Sequence, residues 1–195
     1  MKLCAFGDSF VEGLIKEPIE NHPAERRQIN FVTQLEILNP NFDTKDNHGL
    51  RGNANQKIAY DAYKHIKTSL PEPRFYLITF SGRDRNSHYY PDSDEYHCCG
   101  EEIYAKEQPQ FMYEAMILLL HNVLDSKKIP HLFLTSFEKY RSNMVNLKNL
   151  PIVYKTLAQI SKDLAPCLHP TEAGHKNIAM YLNELVNIEI DKYKV

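Results

Sequence analysis

The chain has 195 residues, of which 43% are hydrophobic and 25% are charged, and its formal net charge is -2. This length favours a single domain, 1–195, with its own core, and the composition is ordinary for a globular protein. The charge disfavours a nucleic-acid binder, which would normally carry a strong positive excess. We also expect no membrane partner and a cytoplasmic location, because the sequence shows neither an export signal nor an apolar run of the roughly 18 residues that span a bilayer.

Short apolar segments alternate with helical patterns along the chain. Strands are predicted at five places: Leu3 to Phe6, Asn41 to Asn47, Phe75 to Phe80, His131 to Thr135 and a short fifth near Ile152. For the fifth, Tyr154 to Ile160 is equally compatible with a helix. Apolar residues at helical spacing predict three helices: Asn55 to Leu70, Phe111 to Leu124 and Thr171 to Asn187. This alternation predicts an α/β fold with a parallel sheet of about five strands.

A polar segment from Arg85 to Gln110 interrupts this pattern and is predicted to be a loop insertion. Functional sites of parallel sheets form where strands end, which directs attention to the junctions after Phe6, Asn47 and Phe80. Within the insertion, His97-Cys98-Cys99 lacks the second pair of ligands that a zinc site usually recruits. We therefore interpret its thiols as incidental and expect no metal.

Gly7-Asp8-Ser9 lies where the first strand should end. A serine hydroxyl is a weak nucleophile until a base removes its proton, and the alternative role for these residues is to cap a helix. His169-Pro170 precedes the last helix, where the helix dipole favours the neutral imidazole that a general base requires. The alternative is a histidine that merely fills a helix start.

Together these segments resemble the GDSL, or SGNH, hydrolase family. Gly7-Asp8-Ser9-Phe10 matches the family's first block, and Asn47-His48-Gly49-Leu50-Arg51-Gly52-Asn53 is similar to its second. His169-Pro170, followed by Thr171 and Gly174-His175, matches the last block. The chain looks like a divergent member of the short, signal-less kind found in phage genomes, which would place it in the cytoplasm of a host cell.

The resemblance implies a flavodoxin-like three-layer α/β/α sandwich that hydrolyses esters without a cofactor. Ser9 would attack the carbonyl carbon, and His169 would take its proton and pass it to the leaving alcohol. Backbone N–H groups of Ser9 and Gly52 would stabilise the oxyanion. The family's habits suggest a small acylated substrate, such as a carbohydrate ester. They leave the oligomeric state open.

The chain departs from the family's third block, which usually reads Gly-x-Asn-Asp. Aligning Asp84 places Arg83 where the asparagine should be and Ser81 where the glycine should be. Arg83 would offer charged donors to the oxyanion, bind an anionic part of the substrate, or form a structural salt bridge. Three asparagines are other candidates for the missing amide: Asn53, Asn55 and Asn86.

The catalytic acid is the second departure. The family usually has an aspartate three residues before the histidine, and this chain has Pro166 there. We therefore predict a Ser9–His169 dyad, with Asp163 as the candidate third member and a backbone carbonyl as the alternative partner of the imidazole. Loss of the acid also keeps open a catalytically weak or inactive protein of this fold that binds a carbohydrate or a protein.

Overall fold

The computed structural model describes residues 1–13, 30–50, 53–69, 71–81, 86–90, 95–99, 108–136, 147, 149–165 and 168–194; for 86–90, 95–99 and 108–110 we describe the backbone alone. The strands are β1 (Lys2–Gly7), β2 (Thr44–Gly49), β3 (Arg74–Phe80), β4 (Asn86–Tyr90), β5 (Glu95–Cys99) and β6 (His131–Thr135). The helices are α1 (Ser9–Glu12), α2 (Phe31–Leu38), α3 (Asn55–Thr68), α4 (Gln108–Ser126), α5 (Leu157–Ser161) and α6 (Glu172–Lys192).

Four parallel strands form the central sheet in the order β2-β1-β3-β6. Side chains of β1 alternate between its two faces, as a strand requires. Leu3 and Ala5 pack into a core shared with α1, α2, α5 and α6, whereas Cys4 and Phe6 pack into a second core shared with α3 and α4. The predicted α/β class and three-layer arrangement are thereby confirmed.

The described sheet has one strand fewer than the prediction of about five. Ile152 forms only an isolated parallel bridge with Phe133. Pro151 carries no N–H with which to extend the ladder, and the Thr156–Gln159 capping box then begins α5. The helical alternative for this segment is therefore the one that the structure adopts.

The segment predicted as a loop insertion contains regular structure. Strands β4 and β5 form an antiparallel pair in which His88 lies opposite His97, and α4 begins at Gln108. The stretches His88-Tyr89-Tyr90 and Tyr96-His97 are rich in aromatic residues, which favour strands. The loop prediction is thus wrong for these residues. No helix in the described part of the chain is long and apolar enough to cross a membrane.

Candidate active site

The nucleophile candidate lies on a sharp turn between β1 and α1. Ser9 is the first residue of α1, and the Asp8 carboxylate caps the helix by accepting a hydrogen bond of 3.0 Å from the Phe10 N–H. Gly7 is needed here, since a Cβ on it would lie 2.4 Å from Val11 Cγ2 and 3.0 Å from Thr79 Cβ. The turn places Ser9 at the carboxyl end of the sheet, with only 6% of its surface exposed.

Asp8 links this turn to the far strand of the sheet. Its carboxylate is fully buried, and Oδ1 also accepts a hydrogen bond of 2.9 Å from the Ser136 hydroxyl. Ser136 follows β6 directly, and its N–H donates to the Phe80 carbonyl at 2.9 Å. Ser136 is not among the predicted residues, although it lies at a strand end, where site residues of parallel sheets are expected.

His169 meets the nucleophile candidate at hydrogen-bond distance. Its Nε2 lies 2.7 Å from Ser9 Oγ, and its ring contacts the Phe10 ring at 5.5 Å between centroids. A hydroxyl that donates to a neutral imidazole at this distance is placed to lose its proton to it. The structure therefore brings together two residues that are 160 positions apart in the chain.

A short antiparallel pairing holds His169 in place. Its carbonyl accepts a hydrogen bond of 2.8 Å from the Ala165 N–H, and Leu164 bridges to Pro170. Leu168, immediately before it, has φ 64°. This left-handed conformation is strained for a residue with a γ-branched side chain, and strain of this kind often accompanies functional sites.

The Asp163 carboxylate lies at the start of α6. It accepts a hydrogen bond from the Thr171 hydroxyl, and Thr171 Oγ1 in turn accepts one of 3.1 Å from the Gly174 N–H. Asp163 thus helps to fix the helix N-terminus two residues beyond His169. The role of Asp163 as the third catalytic member stays a prediction.

The predicted oxyanion donors are only partly within the described residues. Gly52 and Arg83 lie outside them, as does Asp84, so their roles stay predictions. Asn53 is described: its Nδ2 donates to the Gly7 carbonyl at 3.4 Å, next to the nucleophile turn.

The other two candidates for the missing amide are Asn55, whose side chain is described, and Asn86, whose side chain is not. The Asn55 carbonyl oxygen accepts a hydrogen bond of 2.9 Å from the Ser81 N–H, which ties the start of α3 to the end of β3. For Asn86 only the backbone, in β4, is described. Asn53 is therefore the described amide that contacts the nucleophile turn.

His175, one turn into α6, is a buried anchor behind the dyad. Its Nδ1 accepts a hydrogen bond of 3.2 Å from the Phe31 N–H at the start of α2, and the two rings stack at 6.1 Å. Burial, and to a smaller extent His169, lowers the pKa of His175 from 6.5 to about 4. The neutral ring therefore joins α2 to α6.

One group of side chains among the described residues has the composition of a metal site. Ligand atoms of Cys4, Asp46 and His65 all lie within 4.8 Å of one another. The group lies on β1, β2 and α3, away from the dyad. For His97, Cys98 and Cys99 the side chains lie outside what is described.

No protein-family model matches the chain, and no curated protein matches it by sequence. Solved structures do match. A member of the lipolytic G-D-S-L family from Veillonella parvula is 15% identical with a TM-score of 0.54, over 94% of this chain and 96% of that one. The chain has the SGNH-hydrolase fold. The resemblance predicted from the sequence blocks is confirmed at the level of the fold.

Two further solved structures with the SGNH fold are esterases by name. The aryl esterase of M. smegmatis is 14% identical with a TM-score of 0.56, over 96% of this chain and 99% of that one. A variant of an acetyl xylan esterase from Geobacillus stearothermophilus is 18% identical with a TM-score of 0.52, over 96% and 95%. The fold is thus shared across nearly the whole length of all these chains.

Proposed function

We propose that the chain is a serine ester hydrolase in which Ser9 is the nucleophile and His169 the general base. The observation that carries this proposal is the distance of 2.7 Å between Ser9 Oγ and His169 Nε2. The solved esterases of the same fold support an ester as the substrate class.

The reaction needs one base that first accepts a proton and then donates it. His169 Nε2 removes the Ser9 proton as Oγ attacks the carbonyl carbon, and then donates that proton to the leaving alcohol. Water, deprotonated by the same nitrogen, attacks the resulting acyl-enzyme, and the proton returns to Ser9. The oxyanion is held by the N–H groups of Ser9 and Gly52, with Arg83 or Asn53 as the side-chain donor. Each such donor contributes about 2.7–4 kcal/mol.

Two exposed leucines are near the dyad residues through the backbone, Leu50 by its bond to Gly7 and Leu168 as the residue before His169. Leu50 is 51% exposed, and its N–H donates to the Gly7 carbonyl at 3.1 Å. Leu168, which precedes His169, is 61% exposed. Contact with the apolar part of a substrate would remove the exposed apolar surface of these two side chains from water, which stabilises the complex. We therefore propose small acyl esters as substrates, with acetylated carbohydrates as the first natural class to test.

The test is hydrolysis of p-nitrophenyl acetate and butyrate. We expect Ser9→Ala and His169→Ala each to lose at least about a thousandfold in kcat/KM, because the dyad acts as a unit. Ser126→Ala, at an exposed serine near the end of α4, should keep the wild-type rate. Equal rates in wild type and both dyad variants would contradict the proposal and leave the non-catalytic binding role as the better account.

A further inference from the structure

The sheet register places a thiol, a carboxylate and an imidazole together, in the layer under α3. Cys4 of β1 is paired in register with Asp46 of β2, so both side chains point to the same face. His65 reaches them from α3, and the three ligand atoms all lie within 4.8 Å of one another. Because these residues are far apart in sequence, no spacing motif reveals them.

The imidazole is held by neighbours outside the cluster. His65 Nδ1 lies 2.8 Å from the Tyr76 hydroxyl and 3.2 Å from Ser69 Oγ. The ring also packs against Phe6 at 5.3 Å and against His48 at 5.1 Å between centroids. Hydrogen bonds that fix a histidine ring from outside are typical of metal ligands.

A route from solvent reaches the cluster through His65. Cys4 is fully buried, whereas Asp46 and His65 are half-buried. His65 also lines an open cavity of about 510 Å³, together with His48, Lys64 and Asn53. An ion can therefore reach His65 and Asp46 from solvent, whereas the buried Cys4 does not line the cavity.

We propose that Cys4, Asp46 and His65 form a binding site for one zinc ion. A thiolate, an imidazole and a carboxylate are the ligands that zinc prefers, at bond lengths of about 2.0–2.3 Å. Ligands at those lengths lie roughly 3–4 Å apart around a tetrahedral ion, so small side-chain rotations close the site from the observed spacing. The thiolate and the carboxylate together balance the dication.

Two features of the metal-free cluster must change on binding. Burial raises the pKa of the Cys4 thiol to about 12, so the thiol is protonated without a metal. Binding breaks its S–H bond, the proton leaves to water, and the sulfur electron pair forms the bond to the ion. Lys2 Nζ lies 2.7 Å from Asp46 Oδ2, and this ion pair must loosen.

The test is metal titration of the metal-free chain with Zn²⁺, followed by calorimetry, and with Co²⁺, followed by its thiolate charge-transfer absorption. We expect one Zn²⁺ per chain and a thiolate band with Co²⁺. A chain in which Cys98, Cys99 and Cys167 are all serine should keep both signals, since Cys4 is then the only thiol.

Matched variants assign the ligands. Cys4→Ala and His65→Gln should lose the stoichiometric binding, whereas His169→Ala, which alters the dyad, should keep it. Absence of the thiolate band in the wild type, or its loss from the chain that keeps only Cys4, would overturn the proposal. Those two measurements do not depend on whether the Cys4 or His65 variants fold, and none of the readouts depends on esterase activity.

Discussion

At the scale of single residues, the position of Ser9 depends on the buried carboxylate of Asp8, the residue directly before it. Asp8 caps α1 through the Phe10 N–H and accepts a hydrogen bond from Ser136, which lies beyond β6. Hydrogen bonds to a buried charged group are worth more than neutral ones, because the charge is costly when it loses a partner. We therefore infer that Ser136 helps to position the turn that carries Ser9.

We predict that Ser136→Ala lowers the free energy of unfolding by about 1–3 kcal/mol, because Asp8 Oδ1 loses a buried donor. It should also lower kcat on p-nitrophenyl acetate, since the turn that carries Ser9 shifts. Urea denaturation and steady-state kinetics measure the two effects. Ser126→Ala, where the hydroxyl bonds only the local Val123 carbonyl on an exposed surface, is the matched control and should stay within about 0.5 kcal/mol of the wild type.

Residues that the sequence predicts for the site differ from Ser136 in the kind of signal they leave. Ser9 and His169 stand in sequence blocks that resemble those of the GDSL family, and that resemblance predicts them. Ser136 bonds the Asp8 carboxylate and the Phe80 carbonyl, which are distant in the chain, and no local pattern records such contacts. The third catalytic member leaves no such signal, because Pro166 occupies the position where the family has its aspartate. The contact of Asp163 with Thr171 depends on the path of the chain before α6, which the sequence pattern does not give.

At the scale of elements, the start of α6 positions His169, the proposed base. Thr171 caps this helix, accepts from the Gly174 N–H and donates to Asp163, only two residues after His169. The pairing of 163–165 with 169–171 thus shares its hydrogen bonds with the helix cap. A weaker cap should consequently displace the imidazole from Ser9.

We predict that Thr171→Ala lowers the free energy of unfolding by about 1 kcal/mol, the usual cost of a lost N-cap. It should also lower kcat/KM on the order of tenfold, because small displacements of a catalytic group are costly in rate. Thr171→Ser keeps the hydroxyl and should restore both values. Thermal denaturation and ester hydrolysis are the measurements, and an inactive serine variant with normal stability would argue against this role of the cap.

The elements that were predicted well are those with a strong apolar signal. β1, β3 and β6 lie where the buried apolar runs predicted them, and α3, α4 and α6 match the predicted helices apart from their ends. The weak second strand is Thr44–Gly49 rather than Asn41 to Asn47, because it is a polar edge strand with little alternation. Helix α2, with eight residues, and the β4–β5 pair were not predicted.

At the scale of the whole molecule, two neutral histidines join separate elements of the fold. His175 links α6 to α2, and His131 of β6 lies within hydrogen-bond distance of both His121 and the Ile129 carbonyl. Both are fully buried, and burial lowers the pKa of each from 6.5 to about 4. In the unfolded chain both return to the ordinary value, so protonation favours unfolding.

We predict that above about pH 6.5 these two histidines add no pH dependence to the free energy of unfolding. As the pH drops from 6.5 towards 4, the free energy of unfolding should fall. The unfolded state binds more protons in that window, and the full effect is on the order of 3 kcal/mol per histidine. Urea denaturation at a series of pH values measures it. His175→Gln should flatten the curve between pH 4 and 6.5.

The control for this pH dependence is His48→Gln, because His48 is exposed at the sheet edge. This variant should keep the wild-type slope. An unchanged slope in His175→Gln would contradict the interpretation of His175 as a buried neutral anchor. The layer arrangement itself was predictable from the alternation of strands and helices, whereas these contacts between separate elements depend on which buried faces meet.

The most direct test of the Ser9–His169 dyad is reaction with a fluorophosphonate, followed by intact-mass measurement and peptide mapping. A serine activated by a base displaces fluoride from the probe and gains its phosphonyl group. We predict one label per chain, located on Ser9, and little labelling in His169→Ala, where the proton acceptor is missing. An unlabelled wild-type chain, or equal labelling of Ser9 with and without His169, would contradict the dyad.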